Sequence, residues 1–314
     1  MINKVRLSAI AAALGLGLFM TGCASTPQGG NEAYSALYDG GSTTAYGTAF
    51  PVATPEEAYR NGDAAASAGD LDRALFEYIR GLKLDDRPRP DALFRIGAIH
   101  HDRGNYRLAD LAYRWALRVD PKHIAAGTRL GEVLLHRRQY AQAEEQLRPI
   151  LASGKAPWRT YNAMGILADL EGDYPQAQQY YQQALAKNPG SPLVLNNLGY
   201  SRYLNGDLAS ARQALREALS SNPNYELAWR NLGLVHARQG DYEYAVEAVG
   251  RDGERAEAYN DVGYIAMLDG RYDEALSFFE QAMHLSPTYY ATASENARNL
   301  HSMRRRFPSA VNDE

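Results

Sequence analysis

The residue best suited to covalent chemistry is Cys23, the only cysteine in the 314-residue chain. A single thiol excludes an intramolecular disulfide framework and any metal site that needs several thiolates. Cys23 follows Leu7 to Met20, a run of 14 residues without a charged side chain, and two small residues, Thr21 and Gly22. Its chemistry therefore has to be sought in this apolar N-terminal setting.

The first 22 residues have the composition of an export signal. Lys4 and Arg6 place positive charge before the apolar run, which is too short to cross a bilayer as a helix. The segment that ends in Cys23 resembles the bacterial lipobox, with Met20 at the position where leucine is commonest. The resemblance implies that residues 1–22 are removed, that Cys23 carries the lipid, and that its acyl chains hold the protein at a membrane.

The residues after the cysteine bear on location and on flexibility. Ala24 stands where the resemblance associates aspartate with retention at the inner membrane, so we expect the periplasmic face of the outer membrane. A cleaved secretory signal followed by a free thiol is the alternative. Residues 23–54 are rich in Ser, Thr, Gly, Ala and Pro and lack helical periodicity, which predicts a flexible, solvated tether.

No other group of side chains has the spacing of a catalytic or metal site. The sequence contains no HExxH, P-loop or GxSxG motif. His100 and His101 are adjacent, so they point to different faces of a helix and are expected to be solvated. Glu144 and Glu145 are interpreted as a charged helix face. The chain is therefore predicted to be no enzyme, and to use no metal ion, cofactor or small-molecule substrate.

The charge balance also excludes one class of partner. The formal net charge is −4 and the sequence pI is about 6.0. Proteins that bind nucleic acid usually carry a strongly basic patch or stripe. Nucleic acid is therefore not predicted as a partner.

A glycine and an alanine recur together along most of the chain. Six spacings between the leading glycines are 35, 34, 34, 34, 34 and 30 residues, and each glycine is followed 12 residues later by alanine. The glycines are Gly62, Gly97, Gly131, Gly165, Gly199, Gly233 and Gly263, and the alanines are Ala74, Ala109, Ala143, Ala177, Ala211, Ala245 and Ala275. These residues resemble the tetratricopeptide repeat, a helix–turn–helix unit of 34 residues.

The resemblance implies an all-α fold, a tetratricopeptide-repeat solenoid of seven helix pairs plus a C-terminal capping helix. Residues 55–287 would form the seven repeats, and residues 288–314 the capping helix and tail. An end repeat needs such a cap because it has no neighbour.

Two repeats depart from the regular pattern. In repeat three, Arg138 replaces the turn glycine, and Pro149 with Gly154 is expected to kink or cut the second helix. In repeat six, four residues are missing, about one helical turn. Its second helix is therefore predicted to end near Val249–Gly250.

Stacked repeats present their first helices on one concave surface. The tetratricopeptide resemblance places residues next to the leading glycine on that surface. Repeats one to three offer a mixed-charge lining, namely Arg60, Asp63, Arg95, His101, Arg129 and Glu132. Repeats four to seven offer a set suited to a peptide backbone, because Asn amides donate and accept and Tyr adds apolar area: Asn162, Asn196, Asn197, Tyr200, Tyr203, Arg230, Asn231, Asn260 and Tyr264. The alternative is that these side chains only satisfy neighbouring helix ends and cover the core.

The whole arrangement resembles TadD-type lipoproteins of the Flp, or tight-adherence, pilus system. The segment from Ala258 to Leu300 and the shortened sixth repeat carry most of this likeness. The resemblance implies protein partners in a pilus or secretion apparatus, such as the secretin or other Tad components. A PilF-like pilotin is the second interpretation. A periplasmic adaptor for hydrolases or proteases, and a component of outer-membrane protein assembly resembling BamD, are the alternatives from other classes.

Overall fold

The structure is a computed structural model, and it describes residues 30–40, 46, 52–251, 255–286 and 290–306. These residues form fifteen α-helices and one 3-10 helix, and none of them lies in a strand. The predicted signal segment and Cys23 lie outside the described residues. The chain divides into two compact units, with the boundary between Arg87 and Pro88.

The first unit contains repeat one. Its elements are a 3-10 helix, Gly30–Leu37, and the helix pair α1, Pro55–Ser67, and α2, Leu71–Leu84. Thr54 and Asp70 cap the two helices, since each side chain accepts a hydrogen bond from a backbone N–H three residues later. The hydroxyl of Tyr78 on α2 donates to Asp63 on α1 over 2.8 Å, which joins the two helices.

Part of the predicted tether differs from the solvated linker that the sequence led us to expect. The 3-10 helix packs against α2, and its side chains Tyr34 and Leu37 are buried. Burial of two large apolar side chains provides the driving force that composition alone did not reveal. Residues 30–37 therefore pack against α2 as part of the first unit.

The second unit contains six helix pairs and a final helix. Each odd-numbered helix from α3 to α13 is the first helix of a repeat, and the next helix is the second. The helices are α3 Pro90–Asp102, α4 Tyr106–Val119, α5 Ile124–His136, α6 Tyr140–Ala152, α7 Trp158–Glu171, α8 Tyr174–Lys187, α9 Pro192–Leu204, α10 Leu208–Ser221, α11 Glu226–Gln239, α12 Tyr242–Val249, α13 Arg255–Leu268, α14 Tyr272–Leu285 and α15 Ala291–Arg306.

The recurring glycine and alanine explain how closely the paired helices pack. A Cβ atom on Gly165 would lie 2.5 Å from a ring carbon of Tyr181 on the partner helix, so only glycine fits there. Ala177, twelve residues after Gly165, is fully buried, as are the equivalent alanines of the other repeats. Small residues at the crossing let the helix backbones approach. The predicted all-α tetratricopeptide fold is thus confirmed.

The two irregular repeats have different outcomes. Arg138 adopts φ 57° and is the single described residue other than glycine with positive φ, so it takes the turn glycine's conformation. The expectation that Pro149 with Gly154 kinks or cuts the second helix of repeat three is wrong as to the cut, because α6 continues through Pro149 to Ala152, and the kink stays a prediction. Proline has no N–H, so the hydrogen bond to the carbonyl of Glu145 is missing, and the helix continues for three further residues without it. In repeat six, α12 ends at Val249 as predicted.

The last helix covers the end of repeat seven. Ala293, Ala297 and Leu300 of α15 are buried, and α15 packs mainly against α14. Among the described helices, none is both long enough and apolar enough to cross a membrane.

Candidate protein-binding face

The first helices of repeats four to seven carry matching rows of side chains. The positions three residues before the leading glycine, one after it and five after it are spaced by four residues, so they lie on one side of a helix. We call the surface formed by these four rows the first-helix face. Its rows are Asn162, Ile166 and Leu170 on α7, Asn196, Tyr200 and Leu204 on α9, Arg230, Leu234 and Arg238 on α11, and Asn260, Tyr264 and Leu268 on α13.

Four asparagine amides form a continuous chain of hydrogen bonds along this face. The Nδ2 of Asn231 donates to Oδ1 of Asn196 over 2.8 Å. The Nδ2 of Asn196 donates to Oδ1 of Asn197 over 3.3 Å, and that of Asn197 donates to Oδ1 of Asn162 over 3.0 Å. The chain therefore links the first helices of three successive repeats, α11, α9 and α7.

A second, shorter chain begins on the final helix. The Nδ2 of Asn296 on α15 donates to Oδ1 of Asn260 over 3.0 Å, and Asn260 donates to Oδ1 of Asp261 over 3.4 Å. Burial raises the pKa of Asp261, and the hydrogen bond from Asn260 opposes that rise. The amide of repeat seven is thus tied to the capping helix.

These contacts bear directly on the predicted role of the asparagines. Asn162 and Asn196 are 4% exposed and Asn260 is 6% exposed. Their amides bond to one another rather than standing open to solvent, which matches the alternative that they satisfy neighbouring helices. Binding of a peptide backbone by these amides stays a prediction.

The predicted tyrosines have greater exposure. Tyr200 and Tyr264 are 39% and 44% exposed. Tyr200 and Tyr203 on α9 stack, with ring centroids 6.0 Å apart and planes 20° apart. The guanidinium carbon of Arg238 lies 5.6 Å from the centroid of Tyr203. The tyrosines therefore offer apolar area to a partner, with Tyr203 partly covered by Arg238.

Sequence reasoning missed the apolar end of three of the four rows. Leu170, Leu204 and Leu268, five residues after their leading glycines, are between 37% and 64% exposed. Leu227, at the start of α11, is 52% exposed. The signal was present in the sequence, because repeats one to three have Ser67, Asp102 and His136 at the position five residues after glycine. Large exposed apolar side chains of this kind mark interaction surfaces when they are contiguous.

Repeat six replaces both outer positions of its row with arginine. Arg230 and Glu257 are about half exposed, with Nη2 and Oε2 4.0 Å apart. Arg238 pairs more closely, its Nε lying 3.0 Å from Oδ1 of Asp269. The predicted site residue Arg230 is therefore the more available of the two cations.

A half-buried carboxylate connects repeats four and five next to this face. Asp169 on α7 accepts hydrogen bonds from Tyr181 over 2.7 Å and from Ser201 over 2.6 Å. Burial raises the pKa of Asp169, while the two hydroxyl donors oppose the rise. Because its two oxygens accept hydroxyl groups from α8 and α9, this carboxylate positions both helices against α7.

The mixed-charge lining predicted for the early repeats is partly neutralised internally. Arg129 on α5 pairs with Asp102 and with Glu132, each over 2.9 Å. Arg159 on α7 lies 3.2 Å from the other oxygen of Glu132. In the first unit, Asp63 accepts the hydroxyl of Tyr78. Arg129 and Glu132 are therefore paired with each other before any partner arrives.

The expectation that His100 and His101 are solvated is wrong, because both are buried. Two helices, α4 and α5, pack against α3 and cover more than one of its faces. Burial lowers the pKa of His101 to about 3, with the cation of Arg129 adding to the effect. Within the ranges described, no cluster of three or more His, Cys, Asp or Glu side chains could hold a metal ion.

Comparison with known proteins gives the family of the chain and its fold. Tetratricopeptide repeat families match residues 99–156, 162–226, 205–252 and 256–289, which together are more than half of the chain. No curated protein sequence matches the chain.

Solved structures share the fold at low identity. The Cut9–Hcn1 hetero-tetramer of the APC/C is 15% identical with a TM-score of 0.56, and the match covers 78% of this chain and 46% of that one. This chain thus spans about half the length of that relative. A tetratricopeptide repeat protein from Parabacteroides merdae is 16% identical over 79% of this chain and 98% of its own, with a TM-score of 0.56. PilF from Pseudomonas aeruginosa is 23% identical over 68% and 97%, with a TM-score of 0.52.

The contacts of the recurring glycines, the helix pairs and the sequence matches all indicate the same repeat. The chain belongs to the tetratricopeptide repeat family, whose helical arrays act as protein-interaction scaffolds.

Proposed function

We propose that the chain is a lipid-anchored scaffold on the periplasmic face of the outer membrane, where it helps to assemble a Flp or type IV-like pilus. In this function the first-helix face binds a protein component of the apparatus, such as the secretin or another Tad protein. The chain does no chemistry on its partner.

The observation that carries the binding role is the row of exposed leucines and tyrosines on the first-helix face. Leu170, Leu204 and Leu268 are exposed on three different helices, next to Tyr200 and Tyr264. Asparagine hydrogen bonds join α7, α9 and α11 behind them. A preorganised apolar surface loses little conformational freedom when a partner binds, so its area contributes efficiently to affinity.

Location and machine rest on the sequence. The lipobox resemblance around Cys23 supports the anchor, and the likeness to TadD-type lipoproteins supports the pilus. The fold that the chain shares with PilF is compatible with this assignment.

The binding role can be tested with the double variant Leu204→Ser, Leu268→Ser. Burying one exposed leucine side chain contributes about 1.5–3 kcal/mol. Leu204 and Leu268 are 37% and 64% exposed, which together amounts to about one such side chain, so the double variant should weaken partner binding by at least about tenfold and abolish pili on cells. Both side chains face solvent, so the circular dichroism spectrum and protein level should stay unchanged. The matched control is Leu84→Ser, Leu285→Ser, two leucines about equally exposed but off the face, and it should assemble pili normally.

The partner can be identified by photocrosslinking in cells. A photoreactive amino acid at Leu268 should crosslink to the secretin or to another pilus component, whereas the same group at the exposed Gln213 on α10 should not. Crosslinks to cell-wall hydrolases or proteases would contradict the pilus role and favour the adaptor. Crosslinks to the outer-membrane protein assembly machinery would favour that alternative.

A further inference from the structure

The shortened second helix of repeat six leaves an opening on the side of the second helices. Helix α12 has 8 residues, whereas the second helices of repeats two, four, five and seven each have 14. Beside α12 lies a cleft of about 760 Å³, bounded by α12, α13 and α14. The cleft therefore lies beside the one of these helices that lacks turns present in the other repeats.

The other repeats show which side chains belong in this place. The alanine 19 residues after the leading glycine is fully buried in repeats two, four, five and seven, and a leucine or methionine follows it. The pairs are Ala116 and Leu117, Ala184 and Leu185, Ala218 and Leu219, and Ala282 and Met283. Repeat six has Asp252 and Gly253 at these sequence positions. It lacks the small and large apolar pair that completes its neighbours.

The floor of the cleft is apolar and mostly aromatic. Tyr242 and Phe278 make an edge-on contact with ring centroids 5.0 Å apart, and the ring of Tyr259 lies 6.1 Å from that of Phe278. Val246 lies beside them on α12. The three rings are only partly buried, which leaves apolar area available for a side chain from outside.

The charged side chains at the rim of the cleft are separated by sign. Glu243 and Glu247 are exposed one turn apart on α12, and neither forms an ion pair within the described part of the chain. Arg251 and Arg255 are exposed at the end of the cleft. The guanidinium carbon of Arg251 lies 4.2 Å from the ring centroid of Trp229, which fixes this cation at the end of α12.

We propose that this cleft is a docking site for the last turns of a basic amphipathic helix from a partner protein. A small and a large apolar side chain of that helix fill the space that the alanine–leucine pair fills in the other repeats. Its basic side chains, spaced by four residues, face Glu243 and Glu247. Its C-terminal end, the negative end of a helix dipole, faces Arg251 and Arg255. This site is separate from the first-helix face, so its failure and that of the proposed function are distinguishable.

A peptide from the chain itself provides the probe. A synthetic peptide of residues 208–221, stapled as a helix and labelled with a fluorophore, carries Ala218 and Leu219 with Arg212 and Arg216 four residues apart. Fluorescence anisotropy with the full chain should show saturable binding. A peptide in which two of the three leucines, Leu215 and Leu219, are serine should bind at least tenfold more weakly. Absence of saturable binding by the parent peptide up to millimolar concentration would overturn the proposal.

Charge reversal in the chain locates the binding. Glu243→Lys with Glu247→Lys should weaken peptide binding at least tenfold, because both exposed glutamates then repel the peptide arginines. The control, Glu171→Lys with Glu217→Lys, reverses two exposed glutamates away from the cleft and should change binding less than threefold. Equal weakening by the two pairs would show a general charge effect and would overturn the location.

A third variant fills the cleft from within. Four residues inserted after Arg251 would restore the 34-residue spacing, with alanine and leucine at the positions equivalent to Ala218 and Leu219. This variant should lose peptide binding, whereas Leu204→Ser with Leu268→Ser on the first-helix face should retain it. Unchanged binding by the insertion variant, or loss of binding in the leucine variant, would place the peptide elsewhere and contradict the proposal.

Discussion

His101 shows how packing can decide the charge of a side chain. Its ring contacts the rings of Tyr106 and His136 at centroid distances of 5.6 and 5.7 Å, and it is buried on α3. Adjacency to His100 correctly implied different helix faces, but both faces are covered by neighbouring helices. Sequence could not reveal this, because the cover comes from α4 and α5 together. The imidazole is consequently held in its neutral form.

This burial predicts a specific loss of stability in mild acid. The folded pKa of His101, about 3, is depressed below the ordinary 6.5. Above pH 6.5 the imidazole is neutral in the folded and unfolded chain, and the free energy of unfolding has its full value. As the pH falls from 6.5 to 3, the unfolded chain binds the proton first, and the free energy of unfolding decreases by up to about 1.4 kcal/mol per pH unit. His101→Phe should remove this pH dependence. Its free energy of unfolding should therefore rise by roughly 1–2 kcal/mol relative to that of the natural protein as the pH falls from 7 to 5. Urea unfolding of both proteins at pH 7 and pH 5 measures this change. An equal difference in the free energy of unfolding at the two pH values would contradict the lowered pKa of His101.

At the scale of an element, the turn between α5 and α6 is the exception among the repeats. The equivalent turns of repeats two and four to seven use glycine with φ between 74° and 82°, whereas Arg138 has φ 57°. A side chain in this left-handed region costs about 1 kcal/mol. The same fold is therefore reached in repeat three with local strain.

Replacing the residue at this turn should relieve the strain. Arg138→Gly should raise the free energy of unfolding by about 0.5–1 kcal/mol, measured by urea titration with circular dichroism. The matched control is Gly172→Ala at the corresponding turn of repeat four, where a Cβ meets no atom within 4 Å. Because space is not limiting there, a loss of about 1 kcal/mol would report the backbone alone. Destabilisation by Arg138→Gly would refute the strain.

The helices themselves could be predicted from the sequence because their determinants are local. Gly165 and Ala177 set the crossing of α7 with α8 within a single repeat. The hydrogen bond from Asn197 to Asn162 joins residues 35 positions apart, and the repeat spacing does not say which amide reaches which. Leu204 and Leu268 could have been found by comparing the repeats position by position. The burial of Tyr34 could not have been found in this way, because its own segment contains no signal that it packs against α2.

At the scale of the whole molecule, the proposed lipid anchor at Cys23 would decide which partners the repeats can meet. Cys23→Ser should shift the protein from the membrane fraction to the soluble periplasmic fraction and block lipoprotein processing. Acyl chains contribute roughly 0.8 kcal/mol per buried methylene to membrane binding, so their loss should release almost all of the protein. Ser25→Ala, two residues away, should leave it at the membrane. Unchanged fractionation and processing of Cys23→Ser would contradict the predicted location.

The chain of asparagine hydrogen bonds from Asn231 to Asn162 has a direction. Every link runs in the same sense, with an N–H given toward repeat four and a carbonyl offered toward repeat six. Turning a single amide around would break the links on either side of it, so only two orientations of the row are fully bonded, the present one and its complete reversal. A substitution at one end of this chain of amides should therefore be felt two repeats away.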